Sequence, residues 1–277
     1  QPCGVWTRGT RLRPCDSTMQ TDRIKQEARA ALAEFLACVF FVFFGAGSVV
    51  GAISATSDAG VEPVNYALSF GFSITILAFS IGDLSGAHIN PAVTLSLAVS
   101  GNLTPTRAFM YIASQITGGI VGGGFLFMCV DDDSYHSGIG LANDITPAGG
   151  FFLEFMGTLL LIFVVFNVAV WAGKPLENDI AGSTISALAP LPIGLAVAVS
   201  HLTLGPLTGC GINPARVIGA VVWEGKDWWD GRSGKAFWIY IAGPLTASLV
   251  GPLIYAALYG TVSPGSAGKG QSKVAAG

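Results

Sequence analysis

The sequence predicts an all-α multi-pass membrane protein with six transmembrane helices and two re-entrant half-helices, arranged as an inverted repeat. Three observations support this fold class. The chain is 51% hydrophobic and only 11% charged, which is unusual for a soluble domain. Six apolar stretches are long enough to cross a bilayer. A short motif, GAHINPAV at 86–93, also returns as GCGINPARV at 209–217.

Each predicted span has roughly the 20 residues that cross a bilayer core of about 30 Å. In chain order the spans are 31–53, 64–82, 108–130, 151–171, 180–200 and 236–259. The strands of a transmembrane barrel would be about ten residues of alternating polarity, whereas these stretches are apolar on every side. The pattern therefore favours helices.

Positively charged residues cluster at the two ends of the chain. Six Arg and Lys residues precede the first predicted span, and Lys269 and Lys273 follow the last. By the positive-inside rule both termini are predicted to be cytoplasmic, which agrees with an even number of spans. The predicted organisation is a polar cytoplasmic segment at 1–27, a membrane domain at 28–260 and a disordered cytoplasmic tail at 261–277.

The membrane domain contains an internal duplication, with repeat one at about 28–130 and repeat two at about 147–260. Three markers keep their order: AEFLACVFFVFFG resembles LEFMGTLLLIFVV, INPA recurs, and YIASQIT resembles YIAGPLT. The markers are separated by 120, 123 and 129 residues (34 to 154, 90 to 213 and 111 to 240), so the copies differ by small insertions. Each copy contains three spans, so the second copy must enter the membrane inverted relative to the first.

Each motif opens an apolar run that is too short to cross the membrane, at 89–99 and 212–222. At 1.5 Å per residue such a run reaches about half of the bilayer. Asn is a preferred N-cap and Pro suits the first helical turn, so Asn90-Pro91-Ala92 and Asn213-Pro214-Ala215 predict two helix starts. Inversion would point both positive helix ends at one central place. Helix ends at membrane depth must be buried in protein or face a water-filled cavity, so the motif pair predicts a pore.

At these residues the chain resembles the major intrinsic protein family, which comprises the aquaporins and the glycerol channels. The resemblance rests on the two Asn-Pro-Ala motifs, the inverted duplication and the Glu residues that begin spans one and four, and it covers about residues 28–260. It implies that 28–260 is a channel domain, with one pore in each subunit of a homotetramer. It also implies a plasma-membrane location, passive diffusion without cofactor or metal, and no nucleic-acid partner.

The resemblance further implies an outer constriction built from four positions. Phe70 lies twenty residues before Asn90, while His201 and Cys210 lie twelve and three residues before Asn213, and Arg216 lies three after it. Two bulky rings, a small residue and a guanidinium match the water-selective members, because they leave a narrow polar opening. The expected function is a passive water channel that conducts single-file water and excludes protons and ions.

The resemblance assigns roles to two further groups of residues. Glu34 and Glu154 are expected to accept hydrogen bonds from the re-entrant loops rather than to carry protons, although an ionisable residue within a span is a functional candidate by default. Backbone carbonyls of the two loops are expected to line the pore. These are the carbonyls of Gly86, Ala87, His88 and Ile89, and of Gly209, Cys210, Gly211 and Ile212.

Two departures from the water-channel pattern leave other solutes open. Ile241 stands where water channels often have Trp, and Asp83 stands where His is common at the inner mouth. The alternative within channels is a broader pore that passes glycerol, urea, hydrogen peroxide or ammonia.

The alternatives from other classes are a structural junction protein and an ion-coupled carrier, although a carrier usually needs further charged groups at the midplane. An enzyme is disfavoured, since the sequence contains no nucleophile with a base and no His-x-x-x-His spacing.

Two local patterns have simpler explanations than a ligand site. The acidic loop Asp131–Asp133 with His136 has the composition of a solvated face, which is favoured over a divalent-cation site. The glycine-rich stretch TGGIVGGGF at 117–125 lies inside an apolar span. It is therefore expected to allow close helix packing rather than to bind a nucleotide.

Overall fold

The structure, a computed structural model, describes residues 17–55, 63–131, 134–171, 184, 186–225 and 236–260. The predicted disordered tail, residues 1–16, and Asp132 and Asp133 of the acidic loop lie outside these ranges. Within them the regular structure is helical, as predicted. The α-helices are α1 (Ser17–Ala55), α2 (Pro63–Ser85), α3 (Pro91–Val99), α4 (Pro105–Phe127), α5 (Pro147–Val165), α6 (Pro190–Thr208), α7 (Pro214–Val221) and α8 (Ile239–Tyr259).

Six of these helices, α1, α2, α4, α5, α6 and α8, are long and apolar enough to cross a membrane. The helix α5 continues as a π-helical turn at Phe166–Trp171. The remaining two, α3 and α7, have nine and eight residues and reach only about 12–14 Å at 1.5 Å per residue. The protein is therefore an integral multi-pass membrane protein with six spans and two half-spans, which confirms the predicted fold class.

The fifth predicted span was placed too early in the sequence. The prediction was 180–200, whereas α6 runs from Pro190 to Thr208, and residues 180–183 and 185 lie outside the described ranges. Pro190 suits a first helical turn. The apolar run ended at His201 in the sequence, yet the helix continues because His201 is buried and the Thr203 hydroxyl donates to the Val199 carbonyl at 3.1 Å.

The first helix is longer than its apolar stretch. It begins at Ser17 and thus includes the last part of the segment at 1–27 that the sequence predicts to be polar. Lys, Arg, Glu and Gln in that part are strong helix formers. Glu27 also pairs with Arg107 near the start of α4, with 2.9 Å between Oε2 and Nε. A polar helix extension needs no membrane contact, which is why hydropathy alone missed it.

Each half-helix packs mainly against a span of the other repeat. Within each repeat the first span packs on the other two, α1 on α2 and α4, and α5 on α6 and α8, while α2 packs on α6 across the repeats. The half-helix α3 packs on α8, and α7 packs on α4. The Ser248 hydroxyl on α8 donates to the Ala92 carbonyl on α3 at 2.8 Å. Each half-helix therefore lies against the last span of the other repeat.

Close approach at these crossings depends on glycine, as the stretch at 117–125 predicts. A side chain at Gly118 would collide with the Phe35 carbonyl of α1. A side chain at Gly119 would collide with the Ala215 carbonyl of α7. The predicted packing role is confirmed, because backbone meets backbone on two sides of α4.

Candidate functional site

The half-helices begin at the two asparagines. Asn90 and Asn213 have extended backbone, with φ of −152° and −147°, and each is followed by proline at the first helical position. The Asn90 side-chain oxygen accepts from the Ala92 N–H at 2.8 Å. The Asn213 oxygen accepts from the Ala215 and Arg216 N–H groups at 3.0 and 3.3 Å. These are N-caps of the expected kind, so the predicted helix starts are confirmed.

The asparagine amides connect the two repeats. The Asn90 amide nitrogen donates to the Ile212 carbonyl at 3.0 Å, and the Asn213 amide nitrogen donates to the Ile89 carbonyl at 2.8 Å. Each bond joins one half-helix start to the loop that precedes the other. The two positive helix ends therefore lie together at the centre of the molecule. A side-chain amide has two N–H donors, so each asparagine keeps a second donor.

The loops before the half-helices have a strained backbone. In these two loops four residues other than glycine have positive φ: Ala87 (51°), Ile89 (53°), Cys210 (53°) and Ile212 (41°). This left-handed conformation is disfavoured for a β-branched residue and costs on the order of 1–3 kcal/mol at each position. The same positions are strained in both repeats, 123 residues apart, so the strain belongs to the repeated design.

Buried carboxylates hold this backbone in place. Glu154 is fully buried and accepts from the Gly211 and Ile212 N–H groups at 2.9 and 2.6 Å and from the Thr208 hydroxyl at 2.6 Å. Hydrogen bonds to a charged acceptor contribute about 1.5–3 kcal/mol each, which offsets the strain of the loop.

Glu34 has the same arrangement in repeat one. It accepts from the His88 and Ile89 N–H groups at 2.9 and 2.7 Å and from the Ser85 hydroxyl at 2.6 Å. The Gln115 side-chain amide adds a fourth donor at 2.8 Å. With every carboxylate oxygen occupied by neutral donors, both glutamates serve as fixed acceptors for the loops.

Two serine/threonine hydroxyls and two tyrosines complete the repeated frame. The hydroxyls of Ser85 and Thr208 accept from the N–H groups of Ala87 and Cys210. The phenols of Tyr111 and Tyr240 donate to the carbonyls of Ser85 and Thr208 at 2.8 and 2.6 Å. These residues were missed by sequence reasoning, although Ser85 and Thr208 each lie five residues before an asparagine and both tyrosines open the YIA markers.

Three of the four predicted constriction residues lie in direct contact. The Phe70 and His201 rings are stacked, with 4.2 Å between centroids and 19° between planes. The Arg216 Cζ lies 5.0 Å from the Phe70 ring centroid. The fourth residue, Cys210, lies in the strained loop three residues before Asn213 and is fully buried beside Leu204.

The polar atoms of this cluster have few protein partners. His201 Nδ1 lies 2.9 Å from the Val197 carbonyl, so Nδ1 carries the proton and Nε2 is an acceptor in the neutral ring. Among the described residues, His201 Nε2 and all three Arg216 guanidinium nitrogens have no hydrogen-bond partner. A buried polar group without a partner costs about 1–3 kcal/mol, and more if charged. The cluster therefore presents unsatisfied donors and an acceptor to a small polar molecule.

The other predicted positions are more peripheral. Asp83 is exposed near the end of α2, and Ile241 is half-buried in α8. His136 is exposed, and no group of three metal-ligating side chains occurs in the described part of the acidic loop or elsewhere in the described residues.

Six spans around two half-helices that meet at a polar centre, together with a buried arginine, are the architecture of a membrane channel. The chain belongs to the major intrinsic protein family, whose sequence model matches residues 21–255. The resemblance inferred from the two motifs is thus confirmed.

Curated relatives and a solved structure agree with this assignment. The chain is 39% identical over 228 residues to the probable aquaporin PIP2-6 of Oryza sativa subsp. japonica, covering 80% of this chain and 77% of the relative. It is 38% identical over 233 residues to aquaporin-1 of Rattus norvegicus, covering 82% and 80%. The X-ray structure of the aquaglyceroporin from Plasmodium falciparum matches with a TM-score of 0.69 and 23% identity, covering 83% of this chain and 95% of that one. This last likeness supports the fold alone.

Proposed function

We propose that the protein is a passive water channel whose solute choice is made at the outer constriction. The observation that carries this proposal is the contact between Phe70, His201 and Arg216, in which a stacked ring pair faces a buried guanidinium. Two rings restrict the opening to a small molecule, and the unsatisfied polar atoms of Arg216 and His201 replace hydrogen bonds that water loses on entering. A polyol would have to fit a carbon chain into the same space.

Arg216 also supplies the barrier to cations. It is 1% exposed and has no salt-bridge partner among the described residues. A permeant cation a few ångströms from an unpaired guanidinium would be repelled by about 4 kcal/mol at an effective dielectric constant near 20. A neutral water molecule pays no such penalty.

The centre of the pore is proposed to orient water and interrupt a proton relay. The second N–H of Asn90 and of Asn213 is free to donate to a water oxygen, since the first is used by the opposite loop. The half-helix starts contribute a positive potential there. A water held as an acceptor by two donors cannot also accept a proton from its neighbour, and hydronium is disfavoured by the potential.

The proposed setting follows the family. The lipid bilayer surrounds the six spans, both termini are cytoplasmic, and the plasma membrane is the proposed location. Arg23, Lys25 and Arg29 at the start of α1 support this orientation by the positive-inside rule. The proposed assembly is a homotetramer with a separate pore in each subunit and no cofactor.

Stopped-flow light scattering on proteoliposomes tests the proposal. Osmotic shrinkage should accelerate well above the rate of empty liposomes and show a low activation enthalpy, while glycerol influx stays at the lipid background. Glycerol influx as fast as that of water would instead support the broader pore. Equal shrinkage of empty and protein-containing liposomes would support a junction protein.

A further inference from the structure

Gly45 in the middle of α1 provides the space that the Phe70 ring occupies. A methyl group at Gly45 would lie 2.5 Å from Phe70 Cδ1, 2.7 Å from Cζ and still closer to Cε1. Both residues are buried. Glycine in a helix interior is destabilising relative to alanine, so its presence here has a cost that the ring contact explains.

The ring is also confined on its other sides. Phe41 makes an edge contact with it, with 5.4 Å between centroids and 71° between planes. His201 is stacked on it at 4.2 Å, and Arg216 Cζ lies 5.0 Å from its centroid. A displaced ring therefore has to move into the constriction.

The distances decide how sensitive the constriction is. Carbon atoms in contact lie about 3.5–4.0 Å apart, so relieving the overlap with Cδ1 at 2.5 Å and the closer one with Cε1 requires a ring movement of at least about 1 Å. The Arg216 Cζ lies 5.0 Å from the ring centroid, so a ring movement of that size is a substantial fraction of the separation between the two groups. A single methyl group at Gly45 is therefore enough to change the geometry of the constriction.

The other repeat provides a comparison. The marker alignment places Val165 at the position of Gly45, and the spacing to Asn213 places Ile193 at the position of Phe70. Val165 and Ile193 belong to one apolar cluster. Repeat two, which has Ile193 in place of the Phe70 ring, thus has the Val165 side chain at the position where repeat one has Gly45.

We infer that Gly45 is a positioning residue for Phe70 and thereby sets the width of the outer constriction. The inference rests on the proposed function, since it assumes that this constriction limits permeation. It adds a residue on α1 to a constriction whose four assigned residues lie on α2, α6, the second loop and α7.

The test compares three variants by osmotic water permeability of proteoliposomes at matched protein content. Gly45→Ala should lower permeability at least about fivefold, because the pore diameter falls. Gly47→Ala is the matched control on the same helix, since its nearest neighbour would be Leu126 Cδ1 at an ordinary 3.4 Å, and it should leave permeability unchanged. Gly45→Ala combined with Phe70→Leu should recover most of the lost permeability, because no rigid ring remains to be displaced.

Two results would overturn the inference. One is Gly45→Ala with the permeability of the unaltered protein. The other is a loss that Phe70→Leu fails to rescue, which would locate the effect in helix packing. If Gly45→Ala alone does not fold, the double variant with Phe70→Leu decides. A double variant that folds and conducts water supports the inference, and one that fails to fold or to conduct contradicts it. Equal glycerol and water fluxes through the unaltered protein would instead contradict the proposed water selectivity. The steric contact between Gly45 and Phe70 could still be tested by the water permeability of the same variants.

Discussion

The two repeats share a polar frame but differ in what they place around it. In both, a buried glutamate, a hydroxyl and a tyrosine hold a strained loop, and an asparagine donates to the opposite loop. The spacings that locate the constriction residues can be applied to the other repeat. They give Ile193, Ala78, Ala87 and Val93 in place of Phe70, His201, Cys210 and Arg216. The duplication kept the hydrogen-bonding frame in both repeats, whereas the four proposed constriction residues, one from repeat one and three from repeat two, have counterparts of other types.

A second difference lies behind the loops. In repeat one, Thr94 and Gln115 extend the hydrogen bonds of Glu34 to His88, with the Thr94 hydroxyl 3.1 Å from His88 Nδ1. In repeat two the corresponding residues are Val217 and Pro244, and Glu154 has three donors instead of four. The hydrogen bonds made by Thr94 and Gln115 are therefore absent from repeat two, whereas the bonds from the loop N–H groups to the glutamate are present in both repeats.

The largest expected effect comes from removing a frame carboxylate. Glu154→Ala leaves the buried N–H groups of Gly211 and Ile212 unpaired, while the Thr208 hydroxyl can still donate to the Leu204 carbonyl, and the free energy of unfolding should fall by about 3 kcal/mol or more. Glu154→Gln keeps one acceptor oxygen and should lose less. Thermal unfolding in detergent, followed by helical circular dichroism, measures both. Equal stability of Glu154→Ala and the unaltered protein would contradict the role assigned to the carboxylate.

The next effect tests the chemistry of the constriction. Arg216→Val copies Val93 of the other repeat and removes the unpaired charge. Potassium leak should rise by up to about three orders of magnitude, as expected from the loss of a barrier of about 4 kcal/mol, while proton leak stays limited by the central asparagines. A potassium-sensitive dye inside proteoliposomes measures the leak. Arg107→Ala is the control, since Arg107 is paired with Glu27 near the start of α4; an equal leak in that variant would argue against a specific barrier at Arg216.

The smallest effect concerns the polar extension of repeat one. Thr94→Val copies Val217 and should cost only about 1–2 kcal/mol of unfolding free energy, because Gln115 keeps its bond to Glu34. Thr117→Val is a matched control on an exposed face, where the hydroxyl bonds only its own helix, and should change stability by less than about 0.5 kcal/mol. Denaturant titration distinguishes the two variants. A Thr94→Val loss as large as that of Glu154→Ala would mean that the frame depends on its outer members.

The parts of the fold that follow from local chemistry were predictable from the sequence. The half-helix starts follow from asparagine and proline at the first helical positions. The position of α6 was not predictable from hydropathy, because the buried partner that makes His201 acceptable lies on α2. The bonds from Asn90 to Ile212 and from Asn213 to Ile89 join residues more than 120 positions apart, so they appear only once both loops are placed. The role of Gly45 was not predictable either, because the sequence does not show that the Phe70 ring lies against it.

The most direct test of the account is to change the constriction and measure the ratio of glycerol to water permeability in proteoliposomes. Phe70→Trp combined with His201→Gly replaces the second ring by open space, and the ratio should rise while water still passes. Phe72→Trp is a control on the same helix, at a position that is 53% exposed, and should leave the ratio unchanged. A double variant that conducts water and has the same ratio of glycerol to water permeability as the unaltered protein would contradict the claim that these outer residues determine solute selectivity.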